Sequence, residues 1–133
     1  MSTSRGDLRV LSGNSNPKLA RDICDELNID IGDTKVSKFA NGESSIKILE
    51  TVRGCDVFVV QPTCSNFEGG CNVNTAVMEL LLLIHTLKLS SASRITAIIP
   101  HYGYARQDRK TTSRVPISAS AVAKMITEMG VDC

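Results

Sequence analysis

Apolar and polar positions divide this chain into short stretches of two different periods. Leu8 and Val10 flank Arg9, and the polar residues 12–16 follow, which predicts a short strand and a turn. Asn16-Pro17 then reads as a helix start, a capping side chain followed by a proline at the first helical position. Leu19, Ile23 and Leu27 recur at every fourth position beside Ala20 and Cys24, so an amphipathic helix of about three turns should end near Asn28. Residues 35–39 and 43–49 flank Ala40-Asn41-Gly42, and Asn-Gly favours the positive φ angles of a tight turn, so these runs predict a hairpin. Residues 57–60 are continuously apolar and stop at Gln61-Pro62, the pattern of a strand buried on both faces. After a Gly-, Asn- and Ser-rich loop at 63–74, Asn74 is placed to cap a helix that runs to Leu89. That helix is apolar nearly all round, which predicts burial against a sheet or a partner chain. Residues 95–99, β-branched and ended by Pro100, read as another strand. Residues 117–129, with Pro116 before them, Ser118 and Ser120 in the first turns and Gly130 as a C-cap, read as the last helix. Strands alternating with helices imply right-handed βαβ units on a parallel sheet. The chain stops at Val131-Asp132-Cys133, where the next strand of the alternation should begin, so it reads as part of something longer.

Composition narrows the setting without naming a function. A length of 133 residues fits one domain, and 42% apolar with 22% charged residues is ordinary for a globular one. A net charge of +1 gives no reason to expect nucleic acid as a partner. Five cysteines, an odd number without a CxxC pair, argue against a disulfide framework or zinc knuckle and suit a reducing compartment. The amino terminus shows no apolar signal stretch, and the most apolar segment, 76–84, is far too short to span a bilayer. The expected location is therefore cytoplasmic, with no membrane partner.

Charge becomes informative locally. Residues 101–116 carry Arg106, Arg109, Lys110 and Arg114 against the single acid Asp108, directly after the 95–99 strand. In open α/β sheets ligands bind beyond the carboxyl ends of the strands, and arginine presents a planar fork of donors to phosphate oxygens. Gln107 adds an amide for base-edge hydrogen bonds, and Asp108 a carboxylate for a metal or a ribose hydroxyl. A solvated surface loop is the bland alternative. The 12–16 stretch could present backbone N–H groups to a phosphate, but with one glycine it reads as a capping turn. From the residues alone Phe39 is a core phenylalanine at a strand end. His85 and His101 have no paired acids beside them in the sequence, so no metal site is expected within this chain and no catalytic residue is assigned.

Four stretches carry a resemblance. FANGE at 39–43, ETVRG…VFVVQP from 50 to 62, NTAVMELL at 74–81 and IIPHYGYARQDRK…SRVPISA from 98 to 119 resemble ribose-phosphate diphosphokinase, also called phosphoribosyl pyrophosphate synthetase. The resemblance implies an α/β, parallel-sheet type I phosphoribosyltransferase-like domain with flanking helices, with residues 1–133 as the N-terminal ATP-binding domain and a C-terminal domain absent from this chain. It implies transfer of the diphosphoryl group of ATP to ribose 5-phosphate with Mg²⁺, giving phosphoribosyl pyrophosphate and AMP. Arg106 would contact the ATP phosphates, Gln107 would hold the nucleotide and Asp108 would support the site. Phe39, Asn41 and Glu43 would reach the adenine of a neighbouring subunit's ATP. Thr51, where the family often has serine, would join Arg53 and Arg114 at an allosteric phosphate or ADP site between subunits. A homo-oligomer, or a hetero-oligomer with other synthetase subunits, is implied as well. NVNTAVMELL also resembles the non-catalytic synthetase-associated proteins, but those alter the Arg-Gln-Asp motif that stands intact here at 106–108. The loop between Gln61 and Met78 is longer than the common family pattern.

Overall fold

Five strands and three helices follow one another as β1 (Leu8–Ser12), α1 (Pro17–Leu27), β2 (Thr34–Lys38), β3 (Ser44–Ile48), β4 (Asp56–Val60), α2 (Val73–Leu89), β5 (Arg94–Ile98) and α3 (Ser118–Glu128). The computed structural model describes residues 7–66 and 68–133; residues 1–6, part of the amino terminus read above for a signal stretch, and residue 67 of the 63–74 loop lie outside them.

β1, β4 and β5 form a parallel sheet in the order β1-β4-β5, with Leu11 opposite Val59 and Val59 opposite Ala97. Side chains alternate across it. Leu11, Val57, Val59 and Ile95 point to a core shared with α2 and α3, while Val10, Phe58, Val60 and Ile98 point to a smaller core closed by α1. A strand buried on both faces is thus what 57–60 becomes. The Asp132 N–H and Cys133 C=O pair with Ile95 and Ala97 along the outer edge of β5, each at 2.8 Å.

The hairpin of β2 and β3 is a second, antiparallel sheet rather than an extension of the first. Gly42 alone of the Asn-Gly pair takes a left-handed angle, φ +90°, and the Gly42 N–H closes the turn on the Phe39 C=O at 2.9 Å. Val36, Ile46 and Ile48 lay the hairpin on α2. This explains the nearly all-apolar helix: the parallel sheet, the hairpin and α3 each cover part of it. Leu80, Leu83, Ile84 and Leu87 are completely buried. At roughly 1.5–3 kcal/mol each, these four side chains anchor the domain before chain entropy is counted.

Asn72, not Asn74, caps α2. Its extended backbone (φ −96°, ψ 176°) lets the Asn72 side chain accept the Thr75 N–H at 2.8 Å. The sequence Asn72-Val73-Asn74 offers two candidate caps, and the earlier one wins. The last helix likewise starts one residue later than expected, at Ser118, and its N-cap Ile117 has no capping side chain.

Between β1 and α1 the turn is fixed by buried side chains. The Asn14 N–H donates to Glu79 Oε1 at 2.8 Å, Asn14 Nδ2 to Glu79 Oε2 at 3.1 Å, and Gln61 Nε2 to Glu79 Oε1 at 3.0 Å. Gln61 Oε1 accepts the Ser15 hydroxyl at 2.8 Å. These contacts occupy the amides of 14 and 15, so this turn caps the helix and presents neither to a phosphate. All five cysteines are free thiols. Burial, reinforced by Glu79 and opposed by Lys38, pushes the Cys71 thiol up to about 11, so it stays protonated at neutral pH.

Candidate functional site

Residues 101–116 leave the carboxyl end of β5 as an irregular, exposed loop. Two contacts brace it against α3. The Tyr102 hydroxyl donates to the Ala119 C=O at 2.6 Å, and the Gln107 C=O accepts the Ala119 N–H at 3.2 Å. The second contact supplies the N-terminal partner that Ile117 cannot, since the first N–H groups of a helix have no partner inside it. The Ser118 hydroxyl donates to Gln107 Oε1. The amide's carbonyl is thereby engaged, and its NH₂ is left to act as a donor.

Arg106 and Gln107 are both exposed, at the sheet edge where sequence reasoning placed them. Among the described residues the basic loop forms one ion pair, Arg109 Nε to Asp108 Oδ1 at 3.7 Å, with both side chains open to solvent. Such a pair is worth at most about 1 kcal/mol. Arg106, Lys110 and Arg114 have no acid within ion-pair distance among those residues. Their charge is therefore available to an anion rather than spent within the fold. Arg114 and Tyr104 both adopt left-handed backbone angles, φ +58° and +66°.

The other expected site residues lie apart. Phe39 is 58% exposed, so the reading of a core phenylalanine is wrong: the hairpin turn holds it out beyond α2 instead of under it. Asn41 and Glu43 are exposed beside it, and Asn41 Oδ1 accepts the Glu43 N–H at 3.1 Å. Glu43 and Gly42 line a cleft of about 520 Å³ with Asn72, Asn74 and Thr75 at the start of α2. Thr51 and Arg53 are exposed in the turn before β4, where the Gly54 N–H donates to the Ser91 C=O at 2.9 Å. That turn is at the amino-terminal end of the sheet, a five-residue strand or roughly 13 Å from the end that carries Arg114. One copy of the chain does not bring these three together.

Among the described residues no group of three or more His, Cys, Asp or Glu side chains converges as a metal site, and no helix is long and apolar enough to cross a membrane. Sequence reasoning missed the residues that brace the basic loop. Ser118 was legible only as a residue of a helix's first turn, and Thr63 as a loop residue.

A parallel sheet with unpaired cations beyond its carboxyl edge defines an α/β domain suited to a phosphate-bearing ligand. The chain belongs to the family of the N-terminal domain of ribose phosphate pyrophosphokinase, whose profile matches residues 8–130. It is 52% identical over 126 residues to the ribose-phosphate pyrophosphokinase of Clostridium perfringens, covering 95% of this chain and 38% of that protein. The counterpart in Nitrosomonas europaea is 51% identical over 130 residues, covering 97% of this chain and 39% of that protein. The crystal structure of phosphoribosylpyrophosphate synthetase from Mycobacterium smegmatis superposes with a TM-score of 0.87 at 41% identity, over 95% of this chain and 40% of that one. The chain thus spans about two-fifths of the length of these relatives.

Proposed function

We propose that this chain is the ATP-holding part of a ribose-phosphate diphosphokinase, an enzyme that moves the diphosphoryl group of ATP to ribose 5-phosphate. The observation that supports this most is the intact Arg106-Gln107-Asp108 sequence on an exposed loop whose cations are mostly unpaired. Arg106 grips the polyphosphate, the Gln107 NH₂ holds the nucleotide and Asp108 supports the site. Phosphoryl transfer depends on positioning and on stabilising charge, and such groups supply both. Mg²⁺, when bound, neutralises phosphate charge. With no converging ligand cluster among the described residues it is assigned no ligand here, and it enters with the nucleotide. The assigned setting is the cytoplasm. The test is calorimetric titration with Mg-ATP. Arg106→Ala should weaken binding by roughly 1.5–3 kcal/mol, the range for a charged phosphate contact. Equal affinity in both proteins would remove Arg106 from the site.

Self-association belongs to the same proposal. An apolar groove of about 350 Å³ runs between α2 and α3, lined by Met78, Leu81, Tyr104, Val122 and Met125. Met78 and Met125 remain 47% and 44% exposed at its rim. Phe39, Asn41 and Glu43 then serve a neighbour's nucleotide, and Thr51 and Arg53 meet the Arg114 of another copy. Sedimentation velocity should show assemblies larger than a monomer at high concentration. A single monomeric species throughout would contradict this.

A further inference from the structure

The 63–74 segment is tied at both ends to the root of the basic loop. At its start, the Thr63 N–H donates to the His101 C=O at 2.8 Å, and Thr63 Oγ1 donates to the same carbonyl at 3.0 Å. Oγ1 also accepts the Gly103 N–H at 2.5 Å. Thr63 is 1% exposed, so water does not compete for these bonds. At the other end Asn74, in the first turn of α2, accepts the hydroxyl of Tyr104. Gly103 lies between the two ties. A Cβ there would stand 2.6 Å from the Thr63 carbonyl oxygen and 3.0 Å from Val73 Cγ1, so this approach requires glycine. Tyr104 follows in its left-handed conformation, which a residue with a side chain keeps only where its surroundings impose it. Arg106 comes two residues later.

The geometry points to Thr63 as a positioning residue: its hydroxyl fixes the 101–104 turn and thereby the direction in which Arg106 and Gln107 leave the sheet. One hydroxyl serves as donor and acceptor at once, joining the two backbone groups that define the turn. Valine has the same shape and neither capacity. In its place the Gly103 N–H is left buried without a partner, and the His101 carbonyl keeps one bond instead of two. The consequence for ligand binding rests on the nucleotide-loop reading given above; the consequence for loop order does not.

The test uses the whole chain with Thr63→Val, Thr63→Ser and Asn74→Ala. It reads amide exchange over 101–107, tryptic cleavage after Arg106 and Arg109, and Mg-ATP affinity, with thermal unfolding as the check on folding. Thr63→Val should speed exchange at Gly103 and cleavage of the loop about tenfold, the effect of losing a buried hydrogen bond, and Thr63→Ser should restore both. Mg-ATP affinity should fall about tenfold in the valine variant and return with serine. Unchanged exchange and cleavage in a folded Thr63→Val would overturn the inference, and so would a loosened turn with undiminished ATP affinity. If Thr63→Val does not fold, Asn74→Ala, at an exposed position, decides: a loosened loop supports the inference and an unchanged one overturns it. If the parent chain binds no ATP while exchange follows the hydroxyl, the nucleotide reading fails and the positioning of the loop by Thr63 stands.

Discussion

Glu79→Leu is expected to destabilise the chain by about 3–5 kcal/mol, a large part of the roughly 5–15 kcal/mol that holds a domain of this size together. The reason is the position of the carboxylate. Glu79 is 1% exposed on a helix otherwise lined with Leu, Ile and Val, and no cation is within ion-pair distance among the described residues. Three donors from two other elements neutralise it instead: the Asn14 N–H, Asn14 Nδ2 and Gln61 Nε2. Leucine fills the space but leaves those donors unmatched, and each buried unpaired group costs about 1–3 kcal/mol. Relief from burying a charge offsets part of that sum. Glu79→Gln should fall between, because its NH₂ faces donors where an oxygen stood. Urea unfolding of the three proteins measures the effect. A leucine variant within about 1 kcal/mol of the parent would show that solvent reaches these donors and that the network contributes little.

Local elements of this fold were legible because local chemistry decides them. Asn16-Pro17 starts α1, and the Asn16 side chain accepts the Leu19 N–H as a cap should. The 57–60 and 95–99 runs became strands with ends displaced by one residue. The site was legible to the same degree: a cationic run after a β-branched strand gave the place of Arg106 and Gln107, which depends on little else. Long-range pairing was not legible. No periodicity shows that the hairpin packs on α2 instead of joining the parallel sheet. Nor does it show that Phe39 is held outside, since an aromatic beside a turn has the same sequence pattern either way. Glu79 was visible as a lone acid in an apolar helix, but its donors come from 18 and 65 residues away. Thr63 and Gly103 are separated by 40 residues, and a threonine in a polar loop gives no sign of a bridging hydroxyl.

The largest expected effect concerns catalysis. Diphosphoryl transfer needs ATP and the acceptor hydroxyl held in line, and losing that alignment forfeits effective concentrations of about 10⁵ M or more. The chain offers cations for the ATP phosphates but no acidic, glycine-flanked loop for ribose 5-phosphate. It matches 38% of the Clostridium perfringens relative, so the acceptor side is assigned to what lies beyond the match. The direct measurement is AMP release from ATP, Mg²⁺ and ribose 5-phosphate, for this chain alone and for this chain joined to the portion of that relative beyond the match. No release by the chain alone, release by the joined protein, and loss of that release in Arg106→Ala are the predicted results. Release by the isolated chain, or a joined protein that binds ATP yet releases no AMP, would contradict the account; the second result would mark the chain as a non-catalytic associated subunit.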